Sequence, residues 1–252
     1  MAPSRYDGDY DYGGFPPYVP VHARRAQAQR AAQKLEKKGR KLEPVRLEGS
    51  KIAASFWGKA WCKNLEAYSD FANRLPRGRT YLRSGAVVDL RIAEGRIDAL
   101  VAGGSVYEVT VEIDELARKR WSGLVSLCKG RIDSMIELLQ GELPEALIQA
   151  MIDRGSGLFP EPRQMRSRCS CPDSAALCKH IAAVLYGVGA RFDKAPETFF
   201  TLRSVKMEQL VAKSAATVAV TRPVARKKSA SIEKLFGIEI DRTPVRRGRR
   251  TP

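Results

Sequence analysis

Apolar residues recur at spacings of three and four along Trp57, Trp61, Leu65 and Tyr68, with Phe71 and Ala72 behind them. That spacing draws one face of an amphipathic helix. An aromatic stripe of this kind is core packing, with a base-stacking platform as the other reading. Cys62, in the same helix, reads as a small half-buried hydrophobe. Pro76 and Gly78, in Leu75-Pro76-Arg77-Gly78-Arg79, then break the helix into an arginine-decorated loop. From Val88 the period falls to two. Val88, Leu90 and Ile92 alternate with Asp89 and Arg91, and Ile97, Ala99 and Val101 with Arg96 and Asp98. Tyr107, Val109, Val111 and Ile113 alternate with Glu108, Thr110 and Glu112. Turns fall at Gly95 and Gly103-Gly104, and a short strand at 81–83 adds to the edge. Consecutive alternating strands joined by tight turns predict an antiparallel meander with one wet face.

Helical periodicity returns in three runs: Leu116, Trp121, Leu124 and Leu127; Ile132, Met135, Ile136 and Leu139; and Leu147, Ile148, Met151 and Ile152. Cys128 stands isolated among them and reads as structural. Residues 155–162 form a Gly- and Pro-rich connector. Beyond it Ile181, Val184, Leu185 and Val188 outline one more helical face, with Gly187 and Gly189 supplying its end.

These elements place the chain in the α+β class: a helix on an antiparallel meander, a helical segment, then a small ββα-like metal module. The organisation expected is a disordered, basic N-terminal arm over 1–44, an α+β domain over 45–154, the metal module over 155–202 and a basic, mostly disordered tail over 203–252. The first twenty residues carry Asp7, Asp9 and Asp11 and no apolar segment, so no signal peptide is expected. No apolar run approaches the roughly 20 residues that span a bilayer. The expectation is a protein without a membrane partner, in a reducing cytoplasmic compartment, nucleoid-associated if it binds DNA.

Charge changes the picture. The chain of 252 residues has a formal net charge of +16, which attracts polyanions, DNA or another nucleic acid first among them. The basic candidates are Arg24, Arg25, Lys37 and Lys38 in an alanine-rich helical stretch, and Arg77 and Arg79 in the loop. Arg226, Lys227, Lys228, Arg246, Arg247, Arg249 and Arg250 are the candidates in the tail. A solvated basic surface is the plain alternative. The stretch 23–41 has almost no apolar stripe beyond Leu35, so it reads as a solvated helix or a phosphate-contacting arm. Between the two tail clusters, residues 231–238 form a short amphipathic island that docks on a partner or on the protein's own body.

The most specific chemistry lies in Cys169-Ser170-Cys171 and Cys178-Lys179-His180. Three thiolates and one imidazole are the donor set of a closed tetrahedral zinc site. Cys169 and Cys171, two apart on an extended segment, share a side; Pro172 ends that segment. Two residues apart on a helix lie nearly opposite, so Cys178 is expected just before a helix and His180 in its first turn. The helix dipole, with Arg166, Arg168 and Lys179, is expected to offset the excess negative charge. A redox dithiol does not require Cys178 and His180, and an iron–sulfur cluster prefers four cysteines. One structural Zn²⁺ per chain is the reading. A closed set leaves no position for water, so no catalytic residue is assigned and the protein is expected not to be an enzyme. A nuclease or transposase using Asp89, Asp98 and Glu112 is the weakest alternative, because arginines alternate with those carboxylates.

The C-x-C-x6-C-x-H pattern resembles the SWIM-type zinc finger. Its surroundings from Cys169 to Gly187, together with Phe56-Trp57-Gly58-Lys59-Ala60-Trp61-Cys62, Arg74–Arg79 and Gly157-Leu158-Phe159-Pro160, are similar to the bacterial branch of that family over most of residues 18–210. Ser174 stands where such proteins often carry a large aromatic. The resemblance implies that Cys169, Cys171, Cys178 and His180 hold the zinc. It also implies binding, to DNA or protein, beside a Swi/Snf-type helicase. The chain has no Walker A signature, so an ATP-driven motor would be another polypeptide. The alternative function is a protein–protein adaptor with no specific nucleic-acid role.

Overall fold

The computed structural model describes residues 20–68, 74–132, 134–173 and 175–211. Phe71, Ala72, Ser174, the island at 231–238 and every basic candidate from Arg226 onward lie outside the described residues. The fold is α+β. Its sheet has four antiparallel strands in the order β1 (Val87–Ala93), β2 (Arg96–Ala102), β3 (Val106–Ile113) and β4 (Met165–Cys169). The first three strands are the meander that the alternation predicts. The fourth is the strand of the metal module, which extends the same sheet by pairing Val109 with Cys169 and Ile113 with Met165. One core cluster runs from Val45 to Leu210, across residues 154 and 155 where the sequence suggests a module boundary.

The centre of that core is α7 (Lys179–Phe192), in which 12 of 14 residues are buried, so it has no solvent face to mark its period. Gly187 and Gly189 do not end this helix; they let neighbours approach it. A Cβ on Gly189 would stand 2.7 Å from Cys62 Sγ and 3.2 Å from Trp61 Cδ1. Against α7 packs α2 (Phe56–Glu66), whose Trp57 and Trp61 are completely buried. Their indole N–H groups donate to the carbonyls of Leu138 at 3.0 Å and Leu185 at 2.8 Å, which satisfies the one polar atom each ring carries. The aromatic stripe is therefore core. Ser55 caps α2, and Asp193 at the end of α7 accepts from Ser55 N and Oγ at 2.9 and 2.6 Å, joining the two helix ends.

Four expectations are corrected. Residues 75–83 are neither a loop nor an edge strand but a helix, α3 (Leu75–Arg83), with Pro76 in its first turn. Proline there sacrifices only an N–H that has no helical partner anyway. Second, a bulge between Val87 and Asp89 shifts the register of β1. Val87 thus joins Leu90 in the main core, and Val88 turns to the other face. Third, that other face is not simply wet. α1 (Val21–Glu36) lies on it, burying Ala28 with Val88, Leu100 and Ala102, while Ala31, Ala32 and Leu35 pack alongside. Residues 20–44, expected in a disordered arm, are thus ordered against the sheet. The contact stripe is mostly alanine, too weakly apolar to raise a helical signal yet small enough for close approach. Fourth, Asp89 is buried, accepting from the Glu43 amide at 2.9 Å. Asp98 and Glu112 remain on the exposed part, engaged by Arg96 at 2.7 and 3.7 Å.

The helices after the meander are α4 (Arg118–Cys128), α5 (Met135–Gln140) and α6 (Glu145–Ile152), followed beyond α7 by α8 (Thr198–Leu202) and α9 (Glu208–Val211). Gly141, at φ +72°, ends α5 in the left-handed conformation that glycine adopts without strain. Among the described residues no helix is long and apolar enough to cross a membrane.

Candidate metal centre

The site is assembled where β4 ends and α7 begins. Cys169 is the last residue of β4, and the ladder reaches one step further, Ser170 N donating to Glu108 O at 3.0 Å. Cys171 follows as the chain turns away. Cys178 is the N-cap of α7 and His180 lies in its first turn, as the two-residue spacing requires. The four donor atoms lie within 4.8 Å of one another, and among the described residues this is the one such group of histidine, cysteine and acidic side chains. His180 Nδ1 is 3.8 Å from Cys169 Sγ and 3.9 Å from Cys178 Sγ. Zinc bonds of about 2.3 Å to sulfur and about 2.0 Å to nitrogen, set tetrahedrally, separate their donors by roughly 3.5–3.8 Å. The donor set and its spacing fit a zinc ion.

The residues beside the quartet position it. Tyr107 stacks on the His180 ring with centroids 4.4 Å apart, and Tyr81 of α3 meets it edge-on at 5.2 Å. Gly103 leaves the room: a Cβ there would stand 2.8 Å from Tyr107 Cε2 and 3.2 Å from His180 Nε2. Nε2 is buried and has no hydrogen-bond partner among the described residues, so Nδ1 is the nitrogen aimed at the thiols. Nothing in the spacing of the sequence flags Tyr81, which arrives from a distant helix. Tyr107 follows from register, since Val109, two residues further along β3, pairs with Cys169.

The charge balance differs from expectation. Arg166 and Arg168 alternate with Cys169 along β4 and so face away from the metal. Arg166 instead pairs with Asp114 at 2.6 Å and Glu112 at 3.6 Å. Lys179 sits 5.6 Å above the Tyr81 ring. Backbone amides do the work: the N–H groups of Ile181 and His180 donate to Cys178, and that of Cys171 to Cys169. Burial nevertheless outweighs these donors, pushing the Cys169 and Cys178 thiols up and holding His180 down at about 4. Without metal, Cys169, Cys178 and His180 are therefore neutral near pH 7, and zinc must expel thiol protons on binding. Chelator competition at about pH 6.5 and about pH 7.5 is expected to show affinity rising with pH, by roughly tenfold for each proton released. A pH-independent affinity would contradict the thiolate set. Cys62 and Cys128 stand apart from this chemistry; burial raises their thiols to about 12 and about 11, as inert core residues require.

Residues 153–188 match the family of the SWIM zinc finger. The chain carries a SWIM zinc finger. The four donors of the finger fall inside the matched segment. The finger's helix, α7, is also the hub of the core, so the finger is not an appendage. The chain is 33% identical over 171 residues to the uncharacterized protein Rv2102 of Mycobacterium tuberculosis, covering 67% of this chain. It spans only 61% of that relative's length. No solved structure matches the chain.

The basic candidates divide by location. Arg24 and Arg25 lie on α1, and Lys37 and Lys38 are exposed just past its end. Arg24 sits 5.6 Å over the Tyr81 ring, and Arg25 donates to Arg83 O at 3.4 Å. Arg77 is exposed on α3, and Arg79 pairs with Glu66 at 3.3 Å. Folding thus brings Arg24, Arg25, Arg77 and Arg79 onto two neighbouring helices beside the finger.

Proposed function

We propose that the protein is a non-catalytic accessory factor. Its finger holds one structural zinc ion per chain, and a basic face beside the finger binds DNA or another nucleic acid. The observation that carries this reading is the shared Tyr81 ring. The metal ligand His180 meets it at 5.2 Å, and Arg24 and Lys179 each lie 5.6 Å from its centre. Metal, ligand, ring and two cations form one contact chain, so ordering the finger also orders part of the basic face. The closed quartet supports binding over catalysis, because it leaves no coordination position for a reacting water. The likeness to SWIM proteins that accompany Swi/Snf-type helicases supports such a helicase as the protein partner. A cytoplasmic, nucleoid-associated place goes with the same reading.

Fluorescence anisotropy with a labelled duplex tests it. If about four phosphates are contacted, affinity is expected to fall about a hundredfold between about 50 and about 200 mM salt. Chelating the zinc is expected to weaken what remains. Binding that ignores both salt and chelation, or no binding at low salt, would reject the reading.

A further inference from the structure

Beside the edge strand β1 lies a groove of about 760 Å³ between α1, the segment 44–50 and the turn from α3 into β1. Arg25, Arg46 and Arg83 line it, with Gln29 and Ser50, and no aspartate or glutamate does. All three arginines are exposed. Arg25 reaches across to the Arg83 carbonyl at 3.4 Å, the C-terminal end of α3. None of the three forms an ion pair among the described residues. Elsewhere the chain pairs its arginines readily: Arg74 with Asp173, Arg96 with Asp98, Arg166 with Asp114. Three guanidiniums gathered on one concave surface without a counter-charge repel one another until an anion joins them. The guanidinium fork, with its flat array of donors, suits phosphate oxygens in particular.

We propose that this groove seats the phosphodiester backbone of a nucleic acid, with Arg25, Arg46 and Arg83 each contacting phosphate. The proposal rests on the nucleic-acid reading above and locates it. It adds Arg46 and Arg83, which are separated in sequence by 37 positions and converge only in the fold. The groove opens beside the edge strand β1, where Val45 and Leu82 in its wall also pack on α7, so its ligand is held by α1, the segment 44–50 and the end of α3.

The test uses the full chain, a labelled single-stranded and a labelled double-stranded oligonucleotide, and two triple variants. One neutralises the groove: Arg25→Gln, Arg46→Gln, Arg83→Gln. The other removes the same charge from α4 and its exit: Arg118→Gln, Lys119→Gln, Arg131→Gln. Both change exposed side chains, and zinc content with the circular dichroism spectrum confirms that each folds. The groove variant is expected to lose at least about tenfold in affinity, and its salt slope to drop by about 2–3. The control is expected to lose less than about threefold. A loss on one oligonucleotide only supports the groove and names the strand form it takes. If the wild type binds but both variants lose equally, the groove assignment is overturned and the wider reading stands. If the wild type binds neither oligonucleotide at low salt, both fall.

Discussion

Cys178→Ser is expected to strip the zinc and to destabilise the whole folded body, not the finger alone. A structural zinc contributes on the order of 10 kcal/mol to the folding of its site. A domain's entire stability is about 5–15 kcal/mol. Cys178 is completely buried at the N-cap of α7, and α7 is the helix on which α2, α3 and the sheet all pack. Local loss therefore cannot stay local. The main thermal transition of the variant is expected to fall by about 10 °C or more, or to vanish. Wild type treated with a strong chelator should behave alike, and adding zinc back should restore the wild type only. A variant that keeps its transition within about 2 °C would show that the metal does not hold the fold together.

Gly78→Ala should destabilise the protein by about 2 kcal/mol or more, although alanine is the better helix former. In an open helix the exchange gains about 1 kcal/mol. Here α3 crosses α7 so closely that a Cβ on Gly78 would stand 2.5 Å from Ala182 Cβ and 2.8 Å from the Ala182 carbonyl carbon. The obstructing atoms are a helix backbone and a methyl group, and neither can swing aside. Overpacking of this kind costs about 1–3 kcal/mol and more where backbone must move. Separation of α3 from α7 also pulls Tyr81 off His180, so zinc affinity should fall together with stability. The check is the urea midpoint at unchanged slope, with zinc competition on the same sample. A midpoint above that of wild type would mean that the two helices do not cross as described.

How much the sequence discloses depends on which physical force writes each feature. The quartet is legible because zinc demands a particular set of donors, and because strand and helix periods restrict how donors two apart can converge. That reasoning places Cys178 at the helix start and His180 in its first turn. The meander is legible because one of its faces is packed against the core. Features set by close contact are not legible. The role of Gly78 and Gly189 exists only once another helix is present. Pro76 carries the same signature whether it breaks a helix or begins one. The alanine stripe of α1 buries too little apolar surface per residue to stand out. The bulge at Val88 turns one side chain to the opposite face without altering composition. The metal module reads as separate because a connector precedes it, yet Leu158 and Phe159 of that connector are buried in the common core. Proximity in sequence makes Arg166 and Arg168 candidates for balancing the thiolates; the pleat of β4 carries them to the other side.

Three sulfurs and one imidazole nitrogen are expected to close around a single zinc ion where β4 meets α7. Zinc X-ray absorption of the full chain tests it most directly. The expected shell holds three sulfurs at about 2.3 Å and one nitrogen at about 2.0 Å, with no oxygen ligand. A shell with fewer sulfurs and a bound water, or four sulfurs with no nitrogen, would contradict it.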